Sequence, residues 1–222
     1  VSAISLPVRY RRETTGEPQA EVDESLEFSL GAAALLLVDV YPRDGEPAEV
    51  VRRSIVPARD AAQRARLPVV YVTNALQRAV HRRSRSREVW RRTLGEDVLE
   101  TWREPSDVLE YLPEIAPAEA DLVVRKTFYS GFHGTELDEV LGRLGARTLI
   151  VAGFDARICV AATATDALYR DFEVVVLRDA IGTSEAENVG AEGSALGQAI
   201  RYLETCVGYT ALTADFIAAL EG

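Results

Sequence analysis

The sequence is poor in several residues that chemistry often uses. Its 222 residues hold two histidines, two cysteines and a single lysine. His81 and His133 do not stand at metal-ligand spacing, so neither a metal nor any other cofactor is expected. Cys159 and Cys206 are expected to stay reduced, because nothing marks the chain for an oxidising compartment. The longest apolar run, residues 31–38, is far too short to span a bilayer. Arg9, Arg11, Arg12 and Glu13 are not followed by an apolar stretch, so no signal peptide is expected and the expected compartment is the cytoplasm. Internal repeats and low-complexity linkers are absent. The net charge of −10 argues against general nucleic-acid binding.

Of the 25 lysines and arginines, only Lys126 is a lysine. A chain with this bias accepts arginine at most basic positions. The lone lysine therefore marks a place that needs a compact ammonium or its tunable pKa. The plainer alternative is a chance surface charge.

What is present reads as a soluble α/β protein. Hydrophobic residues make up 47% and charged residues 27%, which suits one domain with a large core. Residues 1–30 read as a polar, Glu-rich N-terminal arm, and residues 31–222 as a single domain. Ala32 to Asp39 reads as a buried central strand ending in a carboxylate. A helix is expected over residues 49–66, then strands over 68–73 and 121–125. Thr135 and Asp138 form an expected capping box for a helix that stops at Gly145. Strands are also expected at 172–177 and 207–210, with helices over 191–204 and at the C-terminus. Cys206, late in the last long helix, reads as a buried packing residue. The alternation implies a three-layer α/β/α fold around a mainly parallel, Rossmann-like sheet of about six strands.

Residues 74–107 are less regular. Arg78, Arg82, Arg83, Arg85, Arg87, Arg91 and Arg92 lie among Trp90 and Trp102. An anion-steering lid or a nucleic-acid patch would use such a segment. The commoner case is a solvated excursion that packs its tryptophans on the domain or on a partner subunit.

Leu149-Ile150-Val151-Ala152-Gly153 reads as a buried strand with a glycine exit, and helical periodicity runs over residues 157–170. Cys159 falls in the first turn of that helix, where unpaired N–H groups and the helix dipole favour a thiolate. In such folds ligands bind beyond the carboxyl ends of the strands. Asp39, Lys126 and Cys159 all fall at those ends. Singly they read as a strand cap, a snorkelling charge and a small buried hydrophobe. Together they supply a proton acceptor, a fixed cation and a nucleophile, with backbone N–H groups for an oxyanion. No histidine stands on an element that reaches Cys159, which disfavours a Cys–His dyad.

Leu36-Leu37-Val38-Asp39, the strand-ending Lys126, and Val151-Ala152-Gly153 leading to Cys159-Val160-Ala161-Ala162-Thr163 resemble the isochorismatase-like cysteine hydrolases. The resemblance covers residues 32–217. It implies an Asp39, Lys126, Cys159 triad for amide hydrolysis without a cofactor, and a cis peptide at Phe154–Asp155. It also implies an oxyanion hole from the N–H groups of Asp155 and Cys159, and a homo-oligomer. Residues 126–135 are similar to the ureidoacrylate amidohydrolase branch, and Asn74 falls where that branch has a pocket asparagine. The expected substrate is a small linear amide or ureido compound, with Tyr41, Asn74, Tyr129, Phe132 and Arg157 as candidate binding residues. Ala156, Tyr41, Asp155 and Arg157 depart from the usual family residues and bear on the substrate. The alternatives are a nicotinamidase-type enzyme, disfavoured because Asn74-Ala75-Leu76 lacks the metal-binding histidine, an isochorismatase-type enzyme, or a silent binding and assembly module.

Overall fold

Residues 33–38 are all buried, and their side chains alternate between two hydrophobic clusters. Such a strand must be covered on both faces, and the rest of the chain supplies the cover. The structure is a computed structural model that describes residues 2–40, 46–75, 85–95, 111–183 and 193–222. Among these, eight strands form one sheet: β1 (Ala3–Thr14), β2 (Glu17–Ser29), β3 (Ala33–Val38), β4 (Val69–Asn74), β5 (Leu122–Lys126), β6 (Thr148–Gly153), β7 (Glu173–Ile181) and β8 (Tyr209–Ala211). Their order is β2-β1-β8-β7-β6-β3-β4-β5. The pairs from β8 to β5 are parallel, and β1 joins antiparallel to β2 and β8.

Helix α1 is continuous through Glu46–Val50, a π turn at Val51–Ile55, and Val56–Arg64. It is followed by α2 (Arg85–Leu94) and α3 (Leu137–Leu144). Helix α4 opens with a π turn, Ala156–Val160, and continues as Ala161–Leu168. The last two are α5 (Ala195–Cys206) and α6 (Thr213–Glu221). Leu35, Leu37, Ile150 and Val175 pack with Ile55 and Ala58 of α1 and Phe216 of α6. Leu36, Val38, Val151 and Val176 pack on the other face with Leu141 of α3, Ala164 of α4 and Leu203 of α5. The three-layer fold is as expected. No helix among the described residues is long and apolar enough to cross a membrane.

The sheet has eight strands rather than about six. The added pair is a hairpin, β1–β2, formed by the residues expected as a polar arm. Ile4, Leu6 and Val8 of β1 alternate into the core, while most of the Glu-rich β2 is exposed at the sheet edge. Glu204 of α5 anchors it. Its fully buried carboxylate meets Arg9 at 2.7 Å and Arg11 at 3.2 Å, and accepts from the Thr210 hydroxyl at 2.8 Å. The capping box at α3 also differs. Thr135 Oγ1 accepts from Leu137 N–H at 3.2 Å, but Asp138 turns outward to Arg170 at 2.8 Å. Gly145 closes α3 in the left-handed conformation, φ 66°.

After β3 the chain adds β4 and β5 on one side, then returns to place β6 on the other side of β3. The sheet order therefore reverses at the carboxyl ends of β3 and β6, the kind of switch point at which open α/β sheets bind ligands. Gly153 ends β6 with φ 122°, and a Cβ at that position would lie 2.0 Å from Val38 O. This contact lets β6 turn directly over the end of β3. Gly153→Ala is expected to destabilise the fold by roughly 1–3 kcal/mol, read as a lower midpoint in urea unfolding. An unchanged midpoint would show that the two strand ends are not in tight contact.

Candidate active site

Asp39 follows β3 and leaves the extended conformation at φ 50°. Its N–H still donates to Val72 O at 2.9 Å, so the backbone is held as the side chain turns over the sheet edge. Lys126 ends β5, two strands away from β3. Neighbouring strands stand about 4.8 Å apart, and only a long stem crosses the end of β4 to reach Asp39. Lys126 Nζ lies 2.8 Å from Asp39 Oδ2, 3.3 Å from Cys159 Sγ and 3.2 Å from Phe128 O. An ammonium has three hydrogens, and three acceptors surround this one.

Cys159 stands in the π turn that opens α4. Three contacts fix the approach to it. Phe154 N–H donates to Val38 O at 2.8 Å, Ala156 N–H donates to Gly182 O at 2.8 Å, and Asp155 Oδ1 accepts from Arg157 N–H at 2.9 Å. The Phe154–Asp155 peptide is cis. Asp155 thus caps the helix, which accounts for a carboxylate at this departure from the family pattern.

The three groups are buried, with Asp39 1%, Lys126 0% and Cys159 9% exposed. Burial works against the Lys126 ammonium, but Asp39 and then Cys159 outweigh it, and its pKa stands raised. The thiol behaves differently from expectation. Burial first, and then the Asp39 charge, push Cys159 up to about 12, with Lys126 pulling only partly back. Desolvation of the buried sulfur and the neighbouring carboxylate favour the neutral thiol, against the thiolate that a helix start alone favours. The resting state is an ion pair beside a neutral thiol.

The surrounding residues divide. Asn74 ends β4 in register with Lys126, and its Oδ1 is buried without a hydrogen bond among the described residues. Tyr129 is 42% exposed and packs its ring 5.8 Å from Trp90. Arg157 is exposed on the first turn of α4 and, with Tyr129, lines an open groove between α4 and α5. Phe132 is not a pocket residue. It is 4% exposed, packs 6.1 Å from Phe172 and lies under Arg170 at 4.6 Å. The loop turns it inward because Ser130 Oγ accepts from Phe132 N–H and donates to Asp166, while Gly131 N–H donates to Thr163 Oγ1. Tyr41 lies outside the described residues.

In the arginine-rich segment, Arg78, Arg82, Arg83 and Trp102 also lie outside them. Trp90 of α2 is buried, with its ring 5.3 Å from Phe128, and Arg91 and Arg92 pair with Glu88. Within residues 85–95, therefore, one tryptophan packs on the domain while the paired arginines are exposed. Cys206 is exposed rather than buried. It is the last residue of α5, beyond the turn whose inner face carries Leu203. Sequence reasoning did not single out Thr73 and Tyr111, whose hydroxyls bond at 2.7 Å beside Asp39. A threonine next to last in β4, after the apolar run of residues 69–72, was the available signal.

A carboxylate, an ammonium and a thiol thus lie buried together at the switch point of an α/β sheet. Residues 34–214 match the family described as Isochorismatase domain, and the chain belongs to that family. It is 37% identical over 107 residues to the ureidoacrylate amidohydrolase RutB of Methylorubrum extorquens, covering 48% of this chain and 41% of that protein. The match to RutB of an Enterobacter species is 35% over 112 residues, 50% of this chain and 46% of the other. These alignments span less than half the length of those relatives. Among solved structures, a cysteine hydrolase from Pseudomonas syringae pv. phaseolicola superposes with a TM-score of 0.74 at 25% identity, over 87% of this chain and 94% of that one. N-carbamoylsarcosine amidase from Thermoplasma acidophilum gives 0.62 at 27% identity, over 82% and 96%.

The raised Cys159 and Lys126 values make stability fall at alkaline pH. In the unfolded chain each group releases its proton at its ordinary value, whereas the fold retains it longer. Both contributions are complete below those ordinary values and are lost as pH rises through the folded ones. The unfolding free energy should therefore decline from about pH 9 upward, and Cys159→Ala should make the decline shallower. Denaturant titrations at several pH values check this, and identical slopes would contradict the buried neutral thiol.

Proposed function

We propose that this protein is a cysteine-dependent amidohydrolase that cleaves a linear amide or ureido C–N bond through a thioester on Cys159. The observation that carries the reading is the single Lys126 ammonium bonded to both Asp39 Oδ2 and Cys159 Sγ in a buried crevice. Family membership and the amidohydrolase names of the relatives support the same reaction class.

The neutral thiol sets the order of events. As the sulfur attacks the substrate carbonyl, its proton passes to Asp39, so charge on sulfur never stands alone in a dry site. Lys126 remains charged throughout and stabilises the carboxylate before transfer and the sulfur during it. The backbone N–H groups of Asp155 and Cys159 receive the developing oxyanion. When the tetrahedral adduct collapses, the C–N bond breaks and Asp39 returns its proton to the leaving nitrogen. A water, deprotonated by Asp39, then attacks the thioester, the C–S bond breaks, and the proton returns to sulfur. Asn74 Oδ1, a buried acceptor beside Lys126, suits the N–H groups of a carbamoyl or ureido substrate. Arg157 and Tyr129 line the groove between α4 and α5, and on this reading the remote part of a substrate lies along it.

A screen of ureido acids, carbamoyl amino acids, biuret-like compounds and nicotinamide, read as released ammonia, identifies the substrate. With any compound that turns over, Cys159→Ala should abolish activity while remaining folded, and Asp39→Asn should lower kcat by about 10²–10⁴. Full activity of Cys159→Ala would overturn the mechanism.

A further inference from the structure

Among the described residues, hydrogen-bond accounting beside Asp39 leaves one buried acceptor, and one hydroxyl hydrogen not used by the bond between Thr73 and Tyr111. Lys126 occupies Asp39 Oδ2 at 2.8 Å. The other oxygen, Oδ1, is buried and makes no hydrogen bond of ordinary geometry with any described residue. The adjacent strand carries the donor. Val38 of β3 stands beside Val72 of β4 in parallel register, so Thr73 is the neighbour of Asp39. Thr73 is 1% exposed, and its hydroxyl shares a 2.7 Å hydrogen bond with the Tyr111 hydroxyl. Two hydroxyls carry two hydrogens, and the bond between them uses only one.

The pair is held rigidly. The Tyr111 ring meets Tyr71 edge-on at 5.6 Å, and Tyr71 Oη donates to Ile115 O at 3.0 Å, four residues along the same segment. Burial keeps the Tyr111 phenol protonated above its ordinary range. Thr73 and Arg125 oppose this shift, and the nearby Asp39 charge adds to it. The hydroxyl pair is thus a fixed neutral donor within reach of the Asp39 charge. An orphan acceptor and an unused donor on neighbouring strands, without direct contact, call for a bridging water.

We infer that the Thr73–Tyr111 hydroxyl pair holds a water against Asp39 Oδ1, and that this is the water which hydrolyses the Cys159 thioester. The inference rests on the amidohydrolase reading and deepens it by dividing the labour of Asp39. Oδ2 stays on Lys126, and Oδ1 does the proton transfer. The water accepts a hydrogen bond from the hydroxyl pair and gives its proton to Oδ1. Its oxygen bonds to the acyl carbon as the C–S bond breaks, and the sulfur then takes the proton from Asp39. Thr73 and Tyr111 are positioning residues, because they act on the water and not on the acyl group. Their loss should slow deacylation and leave acylation alone.

The test uses p-nitrophenyl acetate, which separates the two half-reactions whatever the natural substrate is. Attack by sulfur releases p-nitrophenolate in a burst and leaves acetyl-Cys159, and the later steady rate reports deacylation. Thr73→Val and Tyr111→Phe should keep the burst rate of the wild type and lower the steady rate about tenfold. Acetyl-Cys159 should then accumulate in the intact mass, with kcat and KM falling together. Thr73→Ser, which retains the hydroxyl, should recover most of the rate lost in Thr73→Val, and matching thermal midpoints exclude a folding defect. Unchanged deacylation in both variants, or a parallel loss of burst and steady rates, would overturn the inference. If the wild type forms no acetyl-Cys159 and Cys159→Ala behaves identically, the amidohydrolase reading itself fails and this inference falls with it.

Discussion

One ammonium holds the centre of this molecule together. Lys126 is fully buried, and burying a lone cation is strongly unfavourable unless its hydrogens and charge are satisfied. Asp39 supplies the countercharge, and Cys159 and the Phe128 carbonyl supply the remaining acceptors of the ammonium. Burial first, and then the Asp39 charge, keep the thiol neutral, with Lys126 pulling only partly back. In the proposed reaction, a thiol stored in this state has Asp39 as its base one proton transfer away and acquires charge only as the substrate carbonyl absorbs it. Arginine serves almost everywhere else in the chain, but its planar fork does not match three acceptors gathered around one point.

The sheet makes that cluster possible. The carboxylate comes from the central strand, the ammonium from two strands to one side, and the thiol from the helix that follows the strand on the other side. The strand order reverses between the first and last of these, so all three converge over one crevice. Gly153 allows the closest approach, with β6 turning against the Val38 carbonyl before α4 begins. On the loop side, Ser130 to Asp166 and Gly131 to Thr163 bind the segment after Lys126 onto the helix that carries Cys159. The distances within the cluster are therefore set by strand register and by these ties, and not by side-chain flexibility.

The parallel strands and their helices were legible because burial on both faces leaves unbroken apolar runs. Asp39 and Cys159 were legible because each follows such a run, and Lys126 because it ends the short apolar edge strand β5. The hairpin was not, since an edge strand with glutamates on its exposed face lacks the alternation that marks a half-buried strand. The resting state of the thiol was also not legible. A helix start argues for a thiolate, and only the three-dimensional neighbourhood shows that desolvation and the Asp39 charge prevail. Phe132 illustrates the same limit for the pocket. Its place in an aromatic loop next to Lys126 suggested a wall residue, but the Ser130 turn sends it into the core. Thr73 and Tyr111 are 38 positions apart, and no local pattern joins them.

Lys126→Arg tests the central claim most directly, because it keeps the charge and changes its shape. If one compact ammonium sets both Asp39 and Cys159, turnover of the substrate found by ammonia release should fall at least about 10²-fold. Circular dichroism should confirm that the variant is folded. Turnover within about twofold of the wild type in the folded variant would contradict the account, since any cation at that position would then suffice.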